Sequence, residues 1–180
     1  MSTWLDIEAA LQNAVEVATG LDDAHVIFAE QNGPQPTRPF ITLRLSDTSS
    51  RGEFVTHQHD AVADELVFTA YSHRELVVSI QAFTSGTTGN TARAMLESLR
   101  LKLLLPAARE ALRAVGVTPF SASSVQNLTA LGENEADYLG RALLEVRCEV
   151  VQTLEERVPY IRTVEVTNEN TGQTYDVALP

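Results

Sequence analysis

Between Gly140 and Thr153 the chain alternates two kinds of side chain, and this stretch limits the possible folds more than any other. Ala142, Leu144, Val146, Cys148 and Val150 are apolar, while Arg141, Glu145, Arg147 and Glu149 lie between them. A period of two sends the first set to one face of a β-strand and the second set to the other. Regular alternation over so many residues predicts an antiparallel strand, with one face packed and the other solvated or at an interface. Some larger layer must then cover the apolar face.

The rest of the chain supplies that layer. Ile7, Leu11, Ala14, Val15 and Ala18 recur at helical spacing, with Thr3 placed to cap the helix and Asp6 and Glu8 suited to its positive end. Gly20 lies where such a helix stops. A second helical stripe runs through Ala92, Met95, Leu96, Leu99 and Leu103, and a third, opened by Pro106, through Ala108, Ala111, Leu112 and Val115, with Gly116 as its stop. Strands are predicted at 25–29, at 40–45 after a proline-broken loop, at 65–71 and 74–83 with a tight turn at Ser72-His73, and around 121–128. Segments 161–166 and 174–179 flank a turn-rich Asn168-Glu169-Asn170-Thr171-Gly172 and read as a hairpin.

Strands cluster with strands and connections are short. The expected fold is therefore α+β: a mostly antiparallel sheet with an N-terminal helix and a central helix pair on one face. The 180 residues suit one domain spanning 1–180, with 46–64 as a long polar loop or hairpin excursion and 159–180 as a C-terminal β-hairpin. The apolar content of 44% supports a core without staples. The one cysteine, Cys148, permits no internal disulfide. Met1-Ser2-Thr3-Trp4 lacks the regions of a secretory signal and no apolar run reaches bilayer length, so a soluble protein made inside the cell is expected, with no membrane partner. The net charge of −11 argues against sequence-specific nucleic-acid binding, which carries a basic footprint. It is compatible with a wall past which DNA slides without sticking.

Catalytic motifs fail on their own terms. His57 and His59 share a strand face, as two metal ligands would, but a third ligand from His25, His73 or Asp64 is not required by any spacing. The stretch Ser85-Gly86-Thr87-Thr88-Gly89-Asn90 precedes a helix but lacks the lysine of a phosphate-binding loop. Cys148 falls mid-strand on the apolar face, where cysteine acts as a small hydrophobe. No serine sits in a nucleophile elbow, and the carboxylate pairs Glu133 with Glu135 and Glu155 with Glu156 read as solvated surface. No enzyme, metal or cofactor is expected. The mixed-sign row Arg141, Glu145, Arg147 and Glu149 is either wet surface or a register-setting contact with a neighbour.

Four segments carry a resemblance to a known family. They are Arg38-Pro39-Phe40-Ile41-Thr42-Leu43-Arg44, then 75–83 followed by Ala92-Arg93-Ala94-Met95-Leu96, then Val125-Gln126-Asn127-Leu128, and Gly140-Arg141-Ala142-Leu143-Leu144-Glu145-Val146. In order and separation, over roughly residues 1–165, they resemble the neck and tail-terminator proteins of tailed bacteriophages. Gly140 departs from the pattern, which leads one to expect a more acidic residue there. The resemblance implies a structural virion protein at the top of the tail, assembled in the host cytoplasm. It further implies a homo-oligomer, a hexameric ring that caps the tail tube protein and meets the head connector or stopper protein. A sheath is a further implied contact, and genomic DNA would pass through the lumen. Another head-tail connector, a head-completion protein or a minor tail protein is the alternative. Within that reading the expected contacts are Arg51, His57, His59 and Asp60 from the polar excursion, and Arg141, Glu145, Arg147 and Glu149 from the long strand.

Overall fold

Thr3 and Asp6 close a capping box at the start of the first helix. Thr3 donates its backbone N–H to Asp6 Oδ2 at 2.6 Å, and the Asp6 N–H donates back to Thr3 Oγ1 at 3.3 Å. Helix α1 (Trp4–Thr19) follows and ends at Gly20, whose N–H donates to the Glu16 carbonyl. Its buried stripe is Ile7, Leu11, Ala14, Val15 and Ala18, as the spacing predicts. Helix α2 (Thr91–Lys102) buries Ala92, Leu96 and Leu99, and α3 (Pro106–Ala114) starts on its proline and buries Leu112. The computed structural model describes residues 3–30, 33–60, 62–63, 65–85, 91–131, 138–159, 163–167, 169–170 and 172–178.

The sheet is built from β1 (Val26–Phe28), β2 (Phe40–Asp60), β3 (Glu65–Thr84), β4 (Val117–Ala122), β5 (Gln126–Asn127), β6 (Ala130–Leu131) and β7 (Tyr138–Pro159). Its order is β1-β2-β3-β7-β4, with β5 and β6 also paired to β7. Only β1 and β2 are described as parallel, Val26 lying opposite Ile41. The connection between β2 and β3 is so short that it permits only antiparallel pairing. β3 and β7 are antiparallel too, since Arg141 meets Gln81, Arg147 meets Glu75 and Glu149 meets His73. A separate two-stranded antiparallel sheet joins β8 (Thr163–Thr167) to β9 (Thr174–Ala178). The fold is α+β with a mostly antiparallel sheet. Among the described residues, no helix is long and apolar enough to cross a membrane.

The core lies between the helices and one sheet face. Ile41 and Leu43 of β2, Leu76, Val78 and Ile80 of β3, and Ala142, Leu144, Val146, Cys148 and Val150 of β7 are all buried. Each large aliphatic side chain so buried contributes about 1.5–3 kcal/mol relative to exposure. The chain divides into two compact units. The first holds Met1–Glu53 and Ser72–Gln152, with all three helices and this core; the second holds Phe54–Tyr71 and Thr153–Pro180.

Two local expectations are corrected. Ser72-His73 is no turn, because β3 continues through it. Neither residue needs a turn conformation, and cross-strand contacts hold both extended: Ser72 donates to Glu53 and His73 meets Glu149. The strand expected around 121–128 is instead β4, which begins at Val117, and the two-residue β5. Register shifts between Pro119 and Ser121. Proline gives no ladder hydrogen bond, so an edge strand with an irregularity is where it fits. Residues 46–60 continue β2 as strand to its end at Asp60.

Candidate assembly surfaces

Alternation in β2, β3 and β7 sends one set of side chains into the core and leaves the other set on the face without helices. There, Glu75 of β3 is almost fully buried between two guanidiniums. Arg51 of β2 donates to it at 2.7 Å, and Arg147 of β7 at 3.5 Å. The Glu75 carboxylate raises the Arg51 pKa still further, so that guanidinium stays charged. The same Arg51 sits 5.4 Å from the Phe120 ring centre, a cation–π distance. Farther along, Arg141 donates to Gln81 Oε1 at 2.6 Å and lies 5.2 Å from the Phe83 ring, which stacks on Phe40 at 4.6 Å. Glu149 accepts His73 at 3.4 Å. Glu145 differs: it is exposed, and no charged partner for its carboxylate lies among the described residues.

Most of the 141–149 row is thus already paired with β3 of the same chain. Sequence spacing alone could not show this, since which residue of β3 faces which residue of β7 is a matter of register. The residue it missed is Glu75, which lies in the strand predicted at 74–83 and was given no role there. The available signal was an acid directly before the apolar run Leu76, Val77 and Val78 of a predicted strand.

In the second unit, Asp60 closes the hairpin between β2 and β3. Its Oδ1 accepts the N–H groups of Val62 at 3.0 Å and Ala63 at 3.2 Å. Those backbone bonds, Ala63 first, hold its carboxyl below the usual aspartate range, helped by nearby Arg157. Arg157 lies 3.4 Å from both Asp60 and Glu65. His57 contacts the Phe68 ring, with centres 6.0 Å apart.

The histidines are not gathered around one point. His25 bonds Asp22 at 2.5 Å and reaches Thr37, while His73 bonds Glu149. Among the described residues there is no group of three or more His, Cys, Asp or Glu placed to hold a metal ion. Asp64, the Gly86–Asn90 part of the phosphate-loop candidate, and Glu133 with Glu135 lie outside the described residues. Glu155 and Glu156 are exposed. Burial pushes the Cys148 thiol up to about 12, so it holds its proton and is no nucleophile at neutral pH.

Gly140, the departure noted in the sequence, has a steric cause. A Cβ there would run into Thr84 Oγ1, and Thr84 is itself fixed by a 3.0 Å hydrogen bond from Thr91. Any side chain, acidic or not, would have to displace that pair.

A family model for the phage neck terminator protein matches residues 5–174. The chain belongs to that family. As a phage neck terminator it is a structural protein of the virion, and the resemblance read from the sequence is borne out. The match extends past residue 165, where the resemblance ended, and takes in β8 and the start of β9. Among solved structures, this neck terminator is similar to a chain of the virion of a native gene transfer agent particle. The two are 18% identical, with 81% of this chain and 98% of that one covered and a TM-score of 0.36. So low a score adds nothing to the family match. No curated protein matches this neck terminator.

Proposed function

We propose that this neck terminator is the subunit of a six-fold ring that caps the tail tube and joins it to the head connector. Membership of the family over residues 5–174 carries the reading. The work is assembly geometry, without a reaction. A ring arises when one patch of each subunit meets a different patch of the next and the rotation closes. The net charge of −11 suits a lumen that repels phosphate and lets DNA pass without sequence-specific binding. Contacts with the tube protein, the connector or stopper and, in a contractile tail, the sheath draw on two sets of side chains. Arg141, Glu145, Arg147 and Glu149 form one, and Arg51, His57, His59 and Asp60 the other. Glu145 leads the first set, because its carboxylate is the least engaged within the chain.

Native mass spectrometry across a concentration series, with negative-stain images of the same samples, tests the proposal. A six-membered closed ring is expected, either alone or on the end of purified tube protein. A chain that neither forms a ring alone nor binds the tube end would overturn it.

A further inference from the structure

Among the described residues of the second unit, β2, β3 and β7 form a three-stranded ribbon with no further strand on either edge. β3 is the middle strand. On its outer side β2 pairs with β1 only at Ile41–Leu43, and β7 pairs with β4 only as far as Val150. Among the described residues, no strand bonds the outer edge of β2 over residues 54–60 or that of β7 over 153–159. Among the described residues, β8 and β9 pair with each other and with no other strand. Exposed edges of this kind recruit other chains, and proteins blunt them with proline, lysine or bulges. Residues 54–60, Phe-Val-Thr-His-Gln-His-Asp, contain no proline, glycine or lysine.

The side chains on the two edges match each other. Arg157 bridges Asp60 and Glu65, which places these three on one face of the ribbon. His57 contacts Phe68, so it lies on the opposite face with Val55 and His59, and on β7 with Leu154, Glu156 and Val158. Val55 is 64% exposed and Leu154 61%. β2 and β7 flank β3 in the same direction. A head-to-tail contact between copies therefore joins β7 of one to β2 of the next as a parallel pair. Aligned from their starts, the rows set Leu154 beside Val55, Glu156 beside His57 and Val158 beside His59. Like-to-like pairing is worse: two antiparallel β7 edges centred on 155–156 would set Glu155 of each copy against Glu156 of the other, and like charges directly opposite destabilise a cross-strand pair.

We infer that neighbouring copies join by strand addition, the β7 edge at 153–159 of one pairing with the β2 edge at 54–60 of the next. The inference rests on the ring reading and names the contact that closes the ring. It leaves Asp60 to its turn and makes Val55, His57, Leu154 and Glu156 the specificity-determining contacts.

Disulfide trapping of the full chain tests it, with Val55→Cys and Leu154→Cys combined. Within one copy these positions are two strands apart, roughly 9–10 Å, beyond the reach of a disulfide. Cys148 is fully buried and does not compete. Oxidation should give a ladder of linked copies ending at the ring, while each single variant stays monomeric on a denaturing gel. His57→Glu should abolish assembly, and adding Glu156→Lys should restore it. A Val55→Cys dimer would overturn the inference in favour of like edges. Closed rings in negative stain without a ladder would overturn it and leave the ring standing. Absence of any ring, alone or with tube protein, would instead remove the ring reading itself.

Discussion

Glu75 shows how one residue ties three strands together. Its side chain is largely out of water, and two arginines from flanking strands bond its carboxylate oxygens. A buried carboxylate without such partners would cost several kcal/mol, so the register of β2, β3 and β7 is coupled to this contact. Gly116 constrains the fold in another way. Its φ is +81°, and a Cβ would lie 2.5 Å from the Val151 carbonyl oxygen. Gly116→Ala should lower stability by about 1–3 kcal/mol, read from denaturant unfolding with an unchanged slope. Three aspartates make the chain acid-sensitive at defined points. Backbone bonding by Thr3 lowers the Asp6 pKa, the His25 side chain lowers that of Asp22, and Ala63 and Val62 lower that of Asp60. Each group loses its proton more readily in the folded state, so its stabilising effect is complete above the unfolded aspartate value. That effect disappears as pH falls through the depressed folded value. The amide resonances of Val62 and Ala63 should therefore titrate with a midpoint below an ordinary aspartate, and a midpoint above it would contradict the assignment.

At the scale of elements, β7 is the organising strand. It pairs with β3, β4, β5 and β6, and its apolar row faces the helices. Leu144 is fully buried at its centre. Leu144→Ala should cost about 2–5 kcal/mol in chemical denaturation, since the surrounding side chains close only part of the cavity. This row was legible in the sequence because both faces differ in character. β2 beyond Leu45 was not: over 46–60 both faces are largely polar or exposed, so the period of two leaves no contrast. Ser72-His73 misled for a related reason. Two polar residues interrupt an apolar pattern, and only their cross-strand partners show that the strand continues. The helices were legible since each carries an apolar stripe, and α1 adds a capping box and a glycine stop and α3 a proline start; on α3, however, Leu112 is buried while Ala111 of the predicted face is exposed.

For the whole molecule, net charge bears on how copies approach one another. A chain of net charge −11 repels its own copies at long range, so assembly needs short-range contacts that match well. Strand addition is such a contact, because backbone hydrogen bonds supply affinity while the side-chain rows supply register. The ring test and the disulfide trap belong to this scale. Together they separate the existence of the ring from the way it closes.

The sequence by itself determined the α+β class, the three helical stripes, the packed face of the long strand and the family, because each is written in local periodicity or in ordered segments. Only the tertiary structure decided which charges are paired within the chain among the described residues. Arg51, Glu75 and Arg147 are distant in sequence, and no spacing rule brings them together. Gly140 likewise looked anomalous until Thr84 was seen against it. Pairing register is a long-range property: it depends on how three strands align, and it set Arg147 against Glu75 while leaving Glu145 with no charged partner among the described residues.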